Sequence, residues 1–294
     1  MNTILLENKY RYSENDLIGK GGFGKVYKGI DLSKNIEIAI KIDEKNKYLK
    51  KESNIYDIIK DGKFMAKKID YFEKDDISYL IMPLHYKSAE ELFREDKNVY
   101  FNDKDIMMLG IQIVQQLNHL HKKGILHLDI KPDNFILNKD INKFYLIDFG
   151  LSRSYLKDGK HIQQKKNSNR CGTLKFMSIN CHERITMSRR DDLISLSFSL
   201  IYLHLKSLPW KTNKYKFEKK DICYEKIMDK KKKFLENIDT FGLPAPLTFL
   251  INYAHSLKFN KTPDYSFIIK GFYNYLKLNN NRYDGKWTWD LGKT

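Results

Sequence analysis

Cysteine is scarce in this sequence: Cys171, Cys181 and Cys223 are the only three in 294 residues. They are too few and too scattered for a disulfide framework or a tetrahedral zinc site, and they suit a reducing, intracellular compartment. Long apolar runs are also missing. The most apolar stretch, Leu193 to Leu205, is too short to span a bilayer and carries His204. Met1-Asn2-Thr3 offers neither an apolar signal segment nor the glycine that myristoylation needs, and Leu291-Gly292-Lys293-Thr294 is not a prenylation box. No zinc finger, aromatic RNA-binding motif, basic-helix pattern or internal repeat is present, so nucleic acid is not expected as a specific ligand. The remaining shortage is of negative charge. Asp and Glu number 37 against 53 Lys and Arg, a formal net charge of +16. Such an excess attracts acidic or phosphate-bearing partners and says nothing about fold. The chain therefore reads as an intracellular, cytoplasmic monomer without membrane attachment. The run Lys230-Lys231-Lys232-Lys233 reads either as a nuclear signal or as the solvated face of a helix end.

With 41% hydrophobic and 31% charged residues the chain is globular. Its length allows one large domain or two tightly packed lobes. The chemistry concentrates in His127-Leu128-Asp129-Ile130-Lys131-Pro132-Asp133-Asn134 and in Tyr145-Leu146-Ile147-Asp148-Phe149-Gly150. Each is a polar loop after an apolar run. Asp129 could accept a proton from a hydroxyl, and Lys131 could reach a phosphoryl oxygen. Asn134 and Asp148 are hard oxygen donors of the kind that hold Mg²⁺ together with phosphates. Either loop alone could be a capped turn.

Upstream, Tyr12 to Ile30 reads as strand, glycine loop, strand, with Ile18-Gly19-Lys20-Gly21-Gly22-Phe23-Gly24-Lys25-Val26 at its centre. Gly19, Gly21 and Gly24 let a backbone close over phosphates, and Phe23 at the tip can shield them. No helix opens directly after the glycines, which argues against a dinucleotide-binding turn. Ile38-Ala39-Ile40-Lys41-Ile42 alternates as a strand and aims Lys41 inward, where it needs a partner. The helical spacing of Lys47 to Ile59 supplies Glu52, whose other reading is a solvated helix charge. Ile77 to Leu84 is an apolar strand, and Ile106 to His121 an amphipathic helix on which His119 and His121 read as packing or solvated groups. Lys157 to Asn169 is polar and without hydrophobic periodicity.

The two loops in this order, after such a glycine loop, match the catalytic-loop and D-F-G signatures of protein kinases. Ser178-Ile179-Asn180, Ser188-Arg189-Arg190-Asp191-Asp192-Leu193, Ser207-Leu208-Pro209-Trp210, Lys261-Thr262-Pro263-Asp264-Tyr265-Ser266, Tyr283-Asp284 and Trp289-Asp290 carry a narrower likeness. By them the sequence resembles the casein kinase 1 group, over about Tyr10 to Asp290 and without the regulatory tail of many members. The resemblance implies an α+β, two-lobed protein kinase fold with the ATP site between a small β-rich N-lobe and a larger, mainly helical C-lobe. Residues 10–82 would form the first, 83–88 a hinge and 89–290 the second, with 1–9 and 291–294 as short termini. It implies ATP and Mg²⁺, with Asn134 and Asp148 on the metal, Asp129 as base and Lys131 on the moving phosphoryl. Lys41, paired with Glu52, would hold the α/β-phosphates. Ile18, Val26 and Ala39 would line the nucleotide site with the glycines and Phe23. Met82 would back the adenine pocket, with the Pro83 carbonyl and His85 backbone holding the base.

The implied substrates are Ser or Thr of acidic or pre-phosphorylated proteins. Thr173 belongs to the substrate-binding segment, and Arg189 would grip an anion on the substrate, helped by Lys219 or Lys220. The other reading of Arg189 is a pair with a neighbouring aspartate. Two departures stand out: Leu128 replaces the arginine usual after the catalytic-loop histidine, and Ser197 stands where a glycine is usual. Leu128 cannot grip an activation-loop phosphate, so constitutive activity is expected. A kinase-fold scaffold would have lost a catalytic or metal residue, and none is lost. A small-molecule kinase of the aminoglycoside or choline type would usually lack the Gly172-Thr173…Ser178-Ile179-Asn180 segment.

Overall fold

The computed structural model describes residues 3–22, 24–44, 48–95, 99–210 and 220–290. Phe23, Lys219 and the Lys220 side chain therefore lie outside the described residues. Two compact units emerge, one of residues 1–86 and 147–150, the other of 87–146 and 151–294.

The first unit is a six-stranded antiparallel sheet with one helix. Strands β1 (Thr3–Leu6), β2 (Tyr10–Gly21), β3 (Gly24–Asp31), β4 (Ile36–Asp43), β5 (Asp70–Lys74) and β6 (Ile77–Pro83) lie in the order β1-β2-β3-β4-β6-β5, and α1 (Leu49–Ile59) follows β4. Alternation along the strands divides the sheet into two chemistries. Tyr27, Ile40 and Ile81 are in register, as are Ile42 and Tyr79, and all belong to one apolar cluster with Tyr10, Tyr12 and Ile38. The opposite face carries Val26, Lys41 and Leu80 in one row and Ala39 beside Met82 in the next. Residues 1–9, expected as a terminus, instead supply β1, whose Leu6 and Ile4 cover the edge of that cluster. Its four-residue length left too little pattern to read. Asp75 and Asp76, both at positive φ, close the β5–β6 hairpin, as a type I′ turn requires.

The second unit is mainly helical. It contains α2 (Ala89–Glu95), α3 (Asp103–Lys122), α4 (Ile179–His182), α5 (Arg189–Leu205), α6 (Lys220–Glu236), α7 (Ala245–Ser256) and α8 (Tyr265–Leu278). Short strand pairs join β7 (Ile125–Leu126) to β10 (Arg153–Ser154), β8 (Phe135–Asn138) to β9 (Lys143–Leu146), and β11 (Leu156–Lys157) to β12 (Lys160–His161). The last pair is a small hairpin that overlaps the start of the polar, aperiodic stretch 157–169. Helix α3 is capped by Asn102, whose side chain accepts from the Asp105 amide at 3.1 Å, and it is buried along most of its length. Two of its glutamines grip β9: Gln112 accepts from the Phe144 amide at 2.8 Å and Gln116 from the Leu146 amide at 2.7 Å. No described helix is long and apolar enough to cross a membrane.

The chain after α8 returns to this core. Trp287 is fully buried, stands edge-on to Phe144 at 5.0 Å, and donates its indole hydrogen to the Asn142 carbonyl. Asp105 accepts from both the amide and the hydroxyl of Thr288. Trp287→Ala should therefore destabilise the second unit by about 3–5 kcal/mol, the usual cost of deleting a buried aromatic. Denaturant unfolding followed by far-UV circular dichroism measures this, and a loss below about 1 kcal/mol would show the segment to be loosely attached.

Candidate active site

In the first unit, Lys41 on β4 lies under α1, its side chain only 9% exposed. Its amine sits 2.7 Å from Glu52 Oε2 and 2.8 Å from Asp148 Oδ1. Burial alone would favour the neutral amine, yet the Glu52 and Asp148 carboxylates outweigh it and hold Lys41 above the ordinary lysine range. The cation is thus fixed, with the expected partner. Asp148 is left-handed at φ 64°, and the next residue, Phe149, is fully buried edge-on to Tyr56 of α1 at 5.0 Å.

The glycine loop is the β2–β3 hairpin. Gly19 pairs with Val26 and Gly21 with Gly24, after a register shift between Tyr12 and Gly19 that bends β2. Gly24 is the position that tolerates nothing larger: its φ is +122°, and a Cβ there would come 2.1 Å from the Ile42 carbonyl oxygen. A Cβ at Gly21 would meet no described atom within 4 Å, leaving the approach to that part of the hairpin open. Ile18 is half exposed. Val26, Ala39 and Met82 share the face of Lys41, Pro83 ends β6 opposite Ile38, and His85 follows beyond the strand.

In the second unit the structure brings Asp129, Lys131, Asn134 and Thr173 together. Asp129 Oδ1 accepts from the Thr173 amide at 2.8 Å and from its hydroxyl at 2.7 Å. Asp129 Oδ2 lies 2.7 Å from the Lys131 amine, which also donates to Thr173 Oγ1 at 3.2 Å. The Asn134 amide nitrogen donates to the Asp129 carbonyl at 2.8 Å, so the acceptor end of that amide remains for a cation. Gly172, at φ 89°, permits this approach, since a Cβ there would lie 2.4 Å from the Leu128 carbonyl oxygen.

The loop that carries Asp129 is held from below by Asp192 of α5. Asp192 Oδ2 accepts from the His127 amide and Oδ1 from the Leu128 amide, each at 2.8 Å. His121 Nε2 is 2.9 Å from the same carboxylate, and its Nδ1 meets the Tyr265 hydroxyl. Next to it, Asp191 accepts from Ser178 Oγ at 2.6 Å, Asn180 Nδ2 at 2.9 Å and the Ser188 amide at 2.7 Å. The Ser178-Ile179-Asn180 and Asp191-Asp192 runs, distant in sequence, are thus one structure. Sequence likeness marks both runs but leaves the aspartates without this role. Two carboxylates at a helix start, after a serine, were the signal.

Arg189 is not brought to this cluster, and its guanidinium is engaged elsewhere. It is buried, with Nη1 donating to Thr262 Oγ1 at 2.9 Å and to the Tyr155 hydroxyl, and Nη2 to the Asn260 carbonyl at 2.6 Å. The fork that would take two anion oxygens already holds the 260–262 loop. Its partners are neutral, so the alternative pairing with an aspartate is not found among its described contacts either. One member of the lysine run departs from a solvated face: Lys231 is fully buried.

A model of the protein kinase domain matches residues 12–258. The chain belongs to the protein kinase family. Protein kinases are phosphotransferases that use ATP and a divalent metal ion. The α+β class and the β-rich and helical lobes agree with the family. Asp148, in the first unit, offers a carboxylate and Asn134, in the second, an amide oxygen, each a hard donor of the kind such a metal takes. A kinase metal of this kind takes part of its shell from nucleotide phosphates.

His182, which ends α4, gives the kinase domain a pH limit. Burial, followed by the positive charge of Lys231, drives its imidazole down to about 2 from an ordinary 6.5. Between these values the unfolded chain binds one more proton than the folded one, so stability is complete above about 6.5 and falls as pH drops. At about pH 5 the loss should reach about 2 kcal/mol. Urea unfolding across pH 7 to 5 should show this slope, and His182→Gln should reduce it by about this amount, leaving the share of His255, which burial lowers to about 4; an unchanged slope would place the acid sensitivity elsewhere.

Proposed function

We propose that this protein kinase is a Ser/Thr kinase of casein kinase 1 type, transferring the γ-phosphoryl of ATP to hydroxyls of acidic or pre-phosphorylated proteins. The observation that carries the reading is the Thr173–Asp129–Lys131 cluster, in which one carboxylate is aimed by two donors from Thr173 and faced by a lysine 2.7 Å away. Asp129 takes the role of orienting the substrate hydroxyl and accepting its proton, a step that needs geometry first. Lys131 offers positive charge to the phosphoryl oxygens as the bond to the nucleotide breaks. Lys41, locked by Glu52, takes the α/β-phosphates under the glycine hairpin, and the face holding Val26, Ala39 and Met82 receives the adenine. Asn134 and Asp148 would hold Mg²⁺, which when bound neutralises phosphate charge. The preference for acidic proteins is supported by the net charge of +16. The Thr173 segment supports a protein substrate over a small alcohol.

Leu128 supports activity without loop phosphorylation. It packs in an apolar cluster with Leu126, Cys181 and Met187 and with Tyr155 and Met177, which lie in the segment that a phosphate would otherwise order.

Asp129→Asn should bind ATP normally yet turn over casein at least about 10²-fold more slowly, the scale of a positioned base. Radiolabel transfer followed by phosphoamino-acid analysis reads both rate and residue type. Near-normal transfer by the variant, or phosphotyrosine as the product, would overturn the reading. Phosphatase-treated protein should keep its full rate; loss of most activity, regained on loop phosphorylation, would refute constitutive action.

A further inference from the structure

Lys231 has no part in the chemistry proposed above, yet its side chain is fully buried in a run of four lysines. Its amine donates to the Leu174 carbonyl at 3.0 Å and the Met177 carbonyl at 2.7 Å, and lies 3.2 Å from His182 Nε2. The amine sits 5.1 Å and 5.5 Å from the ring centroids of Phe198 and Trp210. Trp210 donates its indole hydrogen to the Lys175 carbonyl at 2.8 Å. The turn closes on its upper side through the Phe176 and Met177 amides, both donating to the Thr173 carbonyl at 2.9 Å. The carbonyls of Thr173, Leu174, Lys175 and Met177 thus all accept a hydrogen bond, two of them from one amine.

That arrangement is costly unless it is used. A buried amine facing no carboxylate among the described residues loses its hydration and regains only hydrogen bonds to neutral acceptors. A methionine would fill the same space, but it would leave the Leu174 and Met177 carbonyls buried without partners. The exposed pairs Lys232–Glu183 and Arg170–Asp221 also tie α6 to this segment, but solvent can replace them.

We infer that Lys231 is a positioning residue for phosphoryl transfer: it holds the 174–177 turn from within and so fixes the Thr173 that aims Asp129. The inference rests on Asp129 being the group that activates the hydroxyl. Lys231 thus does from α6 what an ordering phosphate would otherwise have to do from solvent.

K231M tests this, with K232A and D129N in parallel. K231M should keep its melting temperature within a few degrees and its ATP dissociation constant within about twofold. Its kcat for casein should fall at least about tenfold with a smaller change in KM, while K232A matches the wild type. Values of KM and kcat for K231M within about twofold of the wild type would overturn the inference, as would a common loss of melting temperature, ATP affinity and rate. An active D129N removes the base assignment, whereas an inactive D129N beside a normal K231M removes only the role of Lys231. If K231M does not fold, hydrogen exchange on the wild type in rising urea decides. The Phe176 and Met177 amides should lose protection together with α6, and their loss at lower urea would refute the pin.

Discussion

Two adjacent buried carboxylates at the start of α5 hold the second unit in a competent arrangement. Asp192 turns toward the 127–129 loop and takes its amides, and Asp191 turns toward 178–180 and takes its side chains. Their surroundings separate them chemically. Burial raises both, but for Asp192 the bonds from His121 and His127 outweigh it, leaving the carboxyl below its ordinary value. For Asp191 burial wins over Ser178, Asn180 and the Ser188 amide, and the carboxyl is raised. The helix start favours negative charge at both positions. The arrangement also supports strain. Leu128 is left-handed at φ 71°, a conformation costing a leucine about 1–3 kcal/mol. Two bonds to Asp192 flank and hold it, and Gly172 passes close enough to Leu128 to carry Thr173 onto Asp129.

Much of this was legible because each feature has a short-range signature. The alternation of Ile38 to Ile42 placed Lys41 opposite the apolar cluster, and helical spacing offered Glu52 as its partner. The spacing of the glycines located the hairpin, though the need for Gly24 comes from the Ile42 carbonyl on another strand and is invisible locally. The partners of Arg189 were hidden for the opposite reason. Its sequence neighbours are aspartates, but at the first turn of a helix consecutive side chains diverge, and the guanidinium reaches residues 260–262 instead. Lys231 had a signature that the charge run concealed. Cys223, Ile227, Lys231 and Phe234 recur at helical spacing, and all four are buried. A lysine on the apolar stripe of its helix has to reach acceptors in the core, whereas Lys233, off the stripe, is exposed.

The Leu128 cluster bears on control as well as on order. An arginine–phosphate lock is charge-assisted, depends on a modifying enzyme and weakens with salt. An apolar contact among Leu128, Tyr155, Met177 and Met187 has none of these dependences and forms as the chain folds. In the proposed reading the segment around Thr173 is therefore ordered twice over, by burial beneath Leu128 and by the carbonyls that Lys231 and Trp210 hold. Neither device depends on a modifying enzyme. Control over an enzyme ordered in this way would act on access to its site or on its amount.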